Sequence, residues 1–130
     1  MRITGIDHVV LRTKDLPAML AFYTGVLGCP VERRQEAIGL IQLRAGACLI
    51  DLVPVDGVLG RRGGPPPGAD GHNMDHLCLR VAEFDAVRLR AELEAAGVAV
   101  GEEGLRYGST GEAMSLYLRD PDGNALELRA

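Results

Sequence analysis

Two short stretches decide the fold, "IDHVVLR" at residues 6–12 and "MDHLCLR" at residues 74–80. Each has an apolar residue, then Asp-His, two apolar residues, Leu and Arg. Alternating side chains in such a run are typical of a strand with one apolar and one polar face. A motif written twice in 130 residues predicts a duplicated unit that begins with this strand.

A helix is predicted after each copy of the motif. The run "LPAMLAFYTGVLG" places apolar residues at helical spacing, with Asp15 as N-cap, Pro17 in the first turn and Gly28 at the end. The run "FDAVRLRAELEAAG" repeats this period and ends at Gly97. Strand followed by helix is therefore expected in both halves.

Short strand-like runs follow each helix. They are "GLIQLRA" and "ACLIDLVPV" in the first half, and "MSLYLR" and "ALELRA" in the second, with the tight turn "DPDGN" between the last two. The plan is β-α-β-β-β twice: a first module at 1–55, a Pro/Gly-rich connector at 56–73 and a second module at 74–130. Together they form one domain, 1–130.

Composition narrows the function classes. A net charge of −4, from 14 basic and 18 acidic residues, argues against a general nucleic-acid binder. No window approaches the roughly 20 apolar residues of a membrane span. Three cysteines without paired spacing favour a reducing compartment, so a cytoplasmic protein is expected.

Strand alternation gathers candidate metal ligands on the polar faces. These faces hold two imidazoles and two carboxylates, on His8, Asp51, His76 and Glu127. Withdrawing such groups from water on a partly enclosed sheet surface costs free energy if they have no partner. A divalent cation bound by them would remove that cost. The alternatives are histidines hydrogen-bonded in a core, Asp51 as an edge-strand charge and Glu127 as a solvated residue near the chain end.

The sequence resembles the vicinal oxygen chelate superfamily, which includes glyoxalase I, bleomycin-resistance proteins, fosfomycin-resistance thiol transferases and extradiol dioxygenases. The resemblance covers nearly the whole chain and rests on "DHVVLRTKDLPAMLAFYTGVLG", "DHLCLRV" and "YLRDPDGNALEL". It implies an α+β fold in which two βαβββ modules form a cupped mixed sheet.

The resemblance also implies a ligand set. Metal-dependent members take ligands from the first and last strands of each module, which here are His8 and Asp51, then His76 and Glu127. Glyoxalase I-like enzymes usually have Glu at the position of Asp51, so this shorter side chain would bind directly or through water. Fosfomycin-type and extradiol members need only two histidines and one glutamate.

Three further residues are candidates for binding substrate by the same resemblance. Arg12 corresponds to an arginine that contacts an anionic group, with pairing to a nearby carboxylate as the alternative. Ser115 and Tyr117 resemble the substrate-holding stretch of fosfomycin-resistance proteins, although both residue types are also ordinary in strands.

The implied function is a metal-dependent, glyoxalase I-like lyase or isomerase acting on a small oxygenated metabolite or thiol adduct. Two substrate oxygens would chelate a Zn, Ni, Mn or Fe ion, and the catalytic Glu127 would transfer a proton. The alternatives are an Fe(II) extradiol dioxygenase, a fosfomycin-type thiol transferase and a non-catalytic antibiotic-binding protein. A homodimer is also implied.

Overall fold

The structure is a computed structural model that describes residues 1–130. The chain divides into two compact units, Met1–Asn73 and Met74–Ala130, so the Pro/Gly-rich connector belongs to the first unit. None of the helices has the length and apolarity needed to cross a bilayer.

The first unit is a four-stranded mixed sheet with one helical segment. Its elements are β1 (His8–Thr13), α1 (Leu16–Leu20, continued by a π-helical segment at Ala21–Val26), β2 (Val31–Gln35), β3 (Leu40–Ala45) and β4 (Cys48–Pro54). The strand order is β1-β4-β3-β2; β1 runs parallel to β4, and the other pairs are antiparallel.

The second unit repeats this arrangement. Its elements are β5 (His76–Arg80), α2 (Ala86–Ala95), β6 (Val100–Gly108), β7 (Gly111–Arg119) and β8 (Ala125–Arg129). The strand order is β5-β8-β7-β6, with β5 parallel to β8 and antiparallel pairing elsewhere. Two four-stranded mixed sheets built from β-α-β-β-β modules confirm the predicted fold class.

Local chemistry explains where the helices begin. The Asp15 carboxylate accepts a hydrogen bond from the Ala18 amide, and Asp85 caps α2 in the same way. Gly28, with φ +68°, follows the first helical segment in the left-handed conformation that glycine adopts most readily. The predicted N-cap and terminal glycine of this segment are therefore confirmed.

The first helix departs from the regular α-helix that its spacing predicts. From Ala21 onward the segment is π-helical, with backbone hydrogen bonds that span five residues and not four. The Leu27 amide, for example, donates to the Phe22 carbonyl. The Thr24 hydroxyl donates to the Leu20 carbonyl at 2.7 Å and so competes for a backbone acceptor at this point. Phe22 and Tyr23 are consecutive in this segment and both are buried.

The turn between β7 and β8 is held by its own side chains. Asp120 is buried, and one of its carboxylate oxygens accepts from the amides of Asp122 and Asn124. The other oxygen accepts from the Asn124 side chain at 2.7 Å. Gly123 takes the left-handed conformation. The turn predicted from "DPDGN" is confirmed, and it fixes the strand that carries Glu127.

β4 and β8, which pair with the first strand of each module, are buried on both faces. On β4, the apolar Ile50 and Leu52 are buried, but so is Asp51, at 4% exposure. On β8, Glu127 is buried at 5% exposure between the buried Leu126 and Leu128. Both carboxylates on the polar faces are thus largely withdrawn from solvent, which demands hydrogen-bond partners for each.

Candidate metal and substrate site

The aspartate that precedes each repeated histidine orients its ring. His8 Nδ1 lies 2.6 Å from Asp7 Oδ1, and His76 Nδ1 lies 2.6 Å from Asp75 Oδ1. A carboxylate acceptor keeps the proton on Nδ1 when the ring is neutral, and the lone pair is then on Nε2. Both modules therefore present Nε2 as the atom available to a metal.

The second module brings three of the predicted residues together around Glu127. His76 Nε2 lies 3.4 Å from Glu127 Oε2. The Ser115 hydroxyl donates to Oε1 at 2.5 Å, and the Tyr117 hydroxyl donates to Oε2 at 3.1 Å. Alternation along β7 places both hydroxyls on the face of β8 that carries Glu127, since Tyr117 and Glu127 are register partners.

These contacts keep Glu127 ionised. Burial acts to raise its pKa, but the hydrogen bonds from Ser115 and Tyr117 and the nearby His76 outweigh burial, so the pKa lies below its ordinary value. The pKa of Tyr117 is raised, first by burial and then by its hydrogen bond to the carboxylate. At neutral pH the pair is therefore a carboxylate and a protonated phenol.

The first module places its pair in the same register but supports it differently. Asp51 faces Val10 on β1, as Glu127 faces Cys78 on β5. In place of two hydroxyls, the Gln42 amide nitrogen lies 3.2 Å from each oxygen of Asp51. The pKa of His8 is raised, chiefly by its hydrogen bond to Asp7, with burial opposing and the charge of Asp51 adding to the effect.

This donor chemistry fits a divalent metal. Each module offers an imidazole Nε2 and a carboxylate, and each imidazole has the outer carboxylate contact that is usual for metal-bound histidines. Neither module by itself assembles three or more His, Cys, Asp or Glu side chains as a metal cluster. The sharing of one ion by His8, Asp51, His76 and Glu127 stays a prediction.

Arg12 contacts the connector. Its Nη1 donates to the Gly63 and Pro65 carbonyls at 2.9 and 2.8 Å, and its Nη2 donates to Gly60 and Gly64 at 3.0 and 2.8 Å. Its contacts are with backbone oxygens, and not with the carboxylate that the alternative interpretation expected. Arg12 holds the connector in place here, and its role toward a substrate stays a prediction.

Several site residues were not identified from the sequence. Asp7 and Asp75 lie within the repeated motif, and their position directly before each histidine was the signal that the sequence offered. Gln42 was missed because nothing in "LIQLRA" marks it as the partner of Asp51. Arg106 was also missed, because no local pattern marks it as a neighbour of Tyr117. Its guanidinium carbon lies 5.5 Å from the centre of the Tyr117 ring.

Comparison with known proteins agrees with this architecture. The chain is 34% identical over 131 residues to virulence protein STM3117 of Salmonella typhimurium, covering 98% of this chain and 85% of that protein. The crystal structure of STM3117 superposes with a TM-score of 0.79, at 31% identity, and covers 99% of this chain and 98% of that one.

Two further relatives are similar over nearly the whole chain. Glutathione transferase FosA of Serratia marcescens is 29% identical and covers 97% of this chain and 80% of that protein. An integron cassette protein of V. cholerae has a TM-score of 0.77 at 29% identity, covering 99% and 96%. The model of the Glyoxalase/Bleomycin resistance protein/Dioxygenase superfamily matches residues 5–128. The chain therefore belongs to the glyoxalase/bleomycin resistance protein/dioxygenase superfamily.

Proposed function

We propose that this protein is a metal-dependent lyase or isomerase, glyoxalase-like in chemistry, acting on a small oxygenated metabolite or a thiol adduct. The observation that carries the proposal is the second-module site: a buried, ionised Glu127 with His76 Nε2 at 3.4 Å and two hydroxyl donors. Catalytic metal sites are built from imidazoles and carboxylates that are themselves hydrogen-bonded to neighbouring side chains.

The proposed ligands are His76 and Glu127, together with the corresponding His8 and Asp51. One His–carboxylate pair supplies only two ligands, whereas catalytic zinc sites have three protein ligands. We therefore expect one metal ion per chain. A bound divalent cation would stabilise negative charge that develops on two neighbouring substrate oxygens.

Glu127 is the proposed proton carrier. The hydroxyls of Ser115 and Tyr117 hold the carboxylate in one orientation and lower its pKa, so it is a proton acceptor at neutral pH. A carboxylate in this position would take a proton from one substrate carbon and return it to the adjacent carbon. Ser115 and Tyr117 are also the proposed substrate contacts, since their hydroxyl oxygens can still accept hydrogen bonds.

A thiol transferase of the fosfomycin-resistance kind is the second candidate. The likeness to glutathione transferase FosA favours it, as do Ser115 and Tyr117. In that case Glu127 would serve as a metal ligand, and the reaction would join a thiol to an electrophilic substrate.

Metal analysis of His76→Ala tests the proposal. Protein purified without an affinity tag is expected to hold about one Zn, Ni, Mn or Fe per chain, and His76→Ala to lose most of it. His72→Ala is the matched control, because His72 is exposed in the connector. Unchanged metal content in His76→Ala would overturn the proposed ligand set.

An activity screen separates the candidates. The hemithioacetal of methylglyoxal and glutathione tests the lyase, and fosfomycin with glutathione tests the transferase. Oxygen uptake on catechols with anaerobic Fe(II) tests the dioxygenase alternative. Loss of activity in Glu127→Gln with metal retained would support proton transfer by Glu127, whereas a ligand bound equally well after EDTA treatment would favour a non-catalytic binding protein.

Two broader expectations belong to the same proposal. A homodimer follows from the family resemblance. A cytoplasmic location is supported by Cys29, Cys48 and Cys78, which are all free thiols.

A further inference from the structure

Two arginines converge on one turn of the second module without an acid between them. Arg80 on β5 and Arg129 on β8 are register partners in a parallel pair, so their side chains leave the sheet on the same face. Arg80 Nη2 donates to the Ser109 hydroxyl at 3.2 Å, and Arg129 Nη2 donates to the Gly111 carbonyl at 2.8 Å. Both guanidinium groups therefore reach the turn between β6 and β7.

The charge of this pair is unbalanced. Arg129 is only 6% exposed, and its Nε is buried without a hydrogen-bond partner. The ion pairs of the second module all join other residues, namely His76, Arg88, Arg90 and Arg106 with their acids. Like charges on neighbouring strands repel, and a buried cation without a counter-ion is costly.

The turn is shaped to receive these side chains. A side chain at Gly108 would overlap the Arg129 guanidinium, so glycine is required there for Arg129 to occupy this space. Along β5 the order His76, Cys78, Arg80 runs beside Ala125, Glu127, Arg129 on β8. Arg129 is thus two residues beyond Glu127 on β8, and Arg80 is two residues beyond Cys78, the β5 partner of Glu127; two residues span roughly 7 Å of strand backbone.

We propose that Arg80, Arg129 and the Ser109 hydroxyl form a binding subsite for a compact oxyanion, either a carboxylate or a phosphoryl group. The anion would neutralise the paired guanidinium groups and accept charge-assisted hydrogen bonds from them. That this anion is part of the substrate rests on the proposed function. The substrate class is then a short metabolite with chelating oxygens at one end and an anionic group at the other.

Titration of metal-free protein with simple anions tests the subsite. Inorganic phosphate and acetate are added at low ionic strength while the ¹⁵N-detected Nε–H signal of Arg129 is followed, with chloride at matched ionic strength as reference. A saturable shift with phosphate or with acetate is expected, and the anion that binds more tightly identifies the group. A response no larger than that to chloride would overturn the subsite.

Variants locate the binding. Arg80→Gln is expected to weaken the bound anion about tenfold, the loss of one charge-assisted contact. Arg90→Gln is the matched control, since Arg90 is on α2 and already pairs with Glu103 at 2.9 Å, and it should leave binding unchanged. Equal anion affinity in Arg80→Gln and the unmodified protein would contradict the proposal.

The result is separable from the proposed function. His76→Ala should lose metal but keep the anion-dependent shift of Arg129, because the anion assay uses no metal. If the unmodified protein binds no metal, the proposed function fails. If the Arg129 signal does not shift with anion, this subsite fails. The two results are independent.

Discussion

At the scale of single residues, the aspartate before each histidine is the most informative feature of the repeat. Asp7 and Asp75 are exposed, yet each lies 2.6 Å from the Nδ1 atom of its histidine. Their position sets which ring nitrogen carries the proton. The repeated "DH" is thus explained as a unit of ligand and orienting group.

Removal of the orienting carboxylate should weaken metal binding. Asp75→Ala is expected to lower metal affinity by about 10- to 100-fold, the usual effect of losing such a partner. Asp70→Ala, at an exposed connector position, is the control. Competition with a chelator of known affinity measures both, and equal affinities would show that Asp75 does not act through His76.

The Glu127 carboxylate makes a pH-dependent contribution to stability. Its pKa is lowered in the folded protein, so the stabilisation is complete above the ordinary glutamate pKa of about 4.3 and is lost as pH falls through the lower folded value. In metal-free protein, the difference in unfolding free energy between native and Glu127→Gln should therefore shrink on acidification. Denaturant titrations from pH 7 to pH 3 measure it, and a constant difference would contradict the assignment.

At the scale of elements, Arg12 joins the first strand to the connector. Gly60 and Gly63 are needed here for close approach, since a side chain at Gly63 would overlap Arg12 and one at Gly60 would overlap the Pro54 backbone. The Pro/Gly-rich composition of residues 56–73 predicted a connector. The structure adds that four of its carbonyls are bound to one guanidinium.

Loss of this guanidinium should release the connector. Arg12→Ala is expected to speed tryptic cleavage after Arg61 or Arg62 by roughly tenfold, for a loss of about 1.4 kcal/mol in closing the segment. Arg33→Ala, an exposed position on β2, is the control. Fragment masses over time give the rates; unchanged cleavage would mean that the connector is held by other contacts.

At the scale of the whole molecule, each module repeats the same register. Asp51 and Glu127 occupy equivalent positions on β4 and β8, two residues beyond the partner of His8 or His76. The surroundings have diverged, because Gln42 supports one carboxylate and two hydroxyls support the other.

The oligomeric state is the prediction at this scale. A homodimer is expected, with a mass in solution of twice 13.9 kDa. Exposed apolar side chains such as Val87, Leu105 and Tyr107 are the kind of surface that association would cover. Light scattering during size-exclusion chromatography measures the mass, and a monomer at micromolar concentration would contradict the expectation.

Prediction from sequence succeeded where the signal is local. The helix caps, the "DPDGN" turn and the last two strands of each module were located because periodicity and turn chemistry act over a few residues. β2 and β6 were implied by the plan but not located. "VERRQ" in β2 lacks clear apolar alternation, and strand pairing rather than propensity makes it a strand.

The sequence by itself determined the duplicated β-α-β-β-β plan and the residues that each strand directs to its polar face, because side-chain alternation is a property of the strand alone. Only the tertiary structure decided which groups meet. The buried state of Glu127, the contact of Arg12 with the connector and the convergence of Arg80 with Arg129 depend on strand register and loop path. Those are set by packing between residues far apart in the chain, and a local pattern does not encode them.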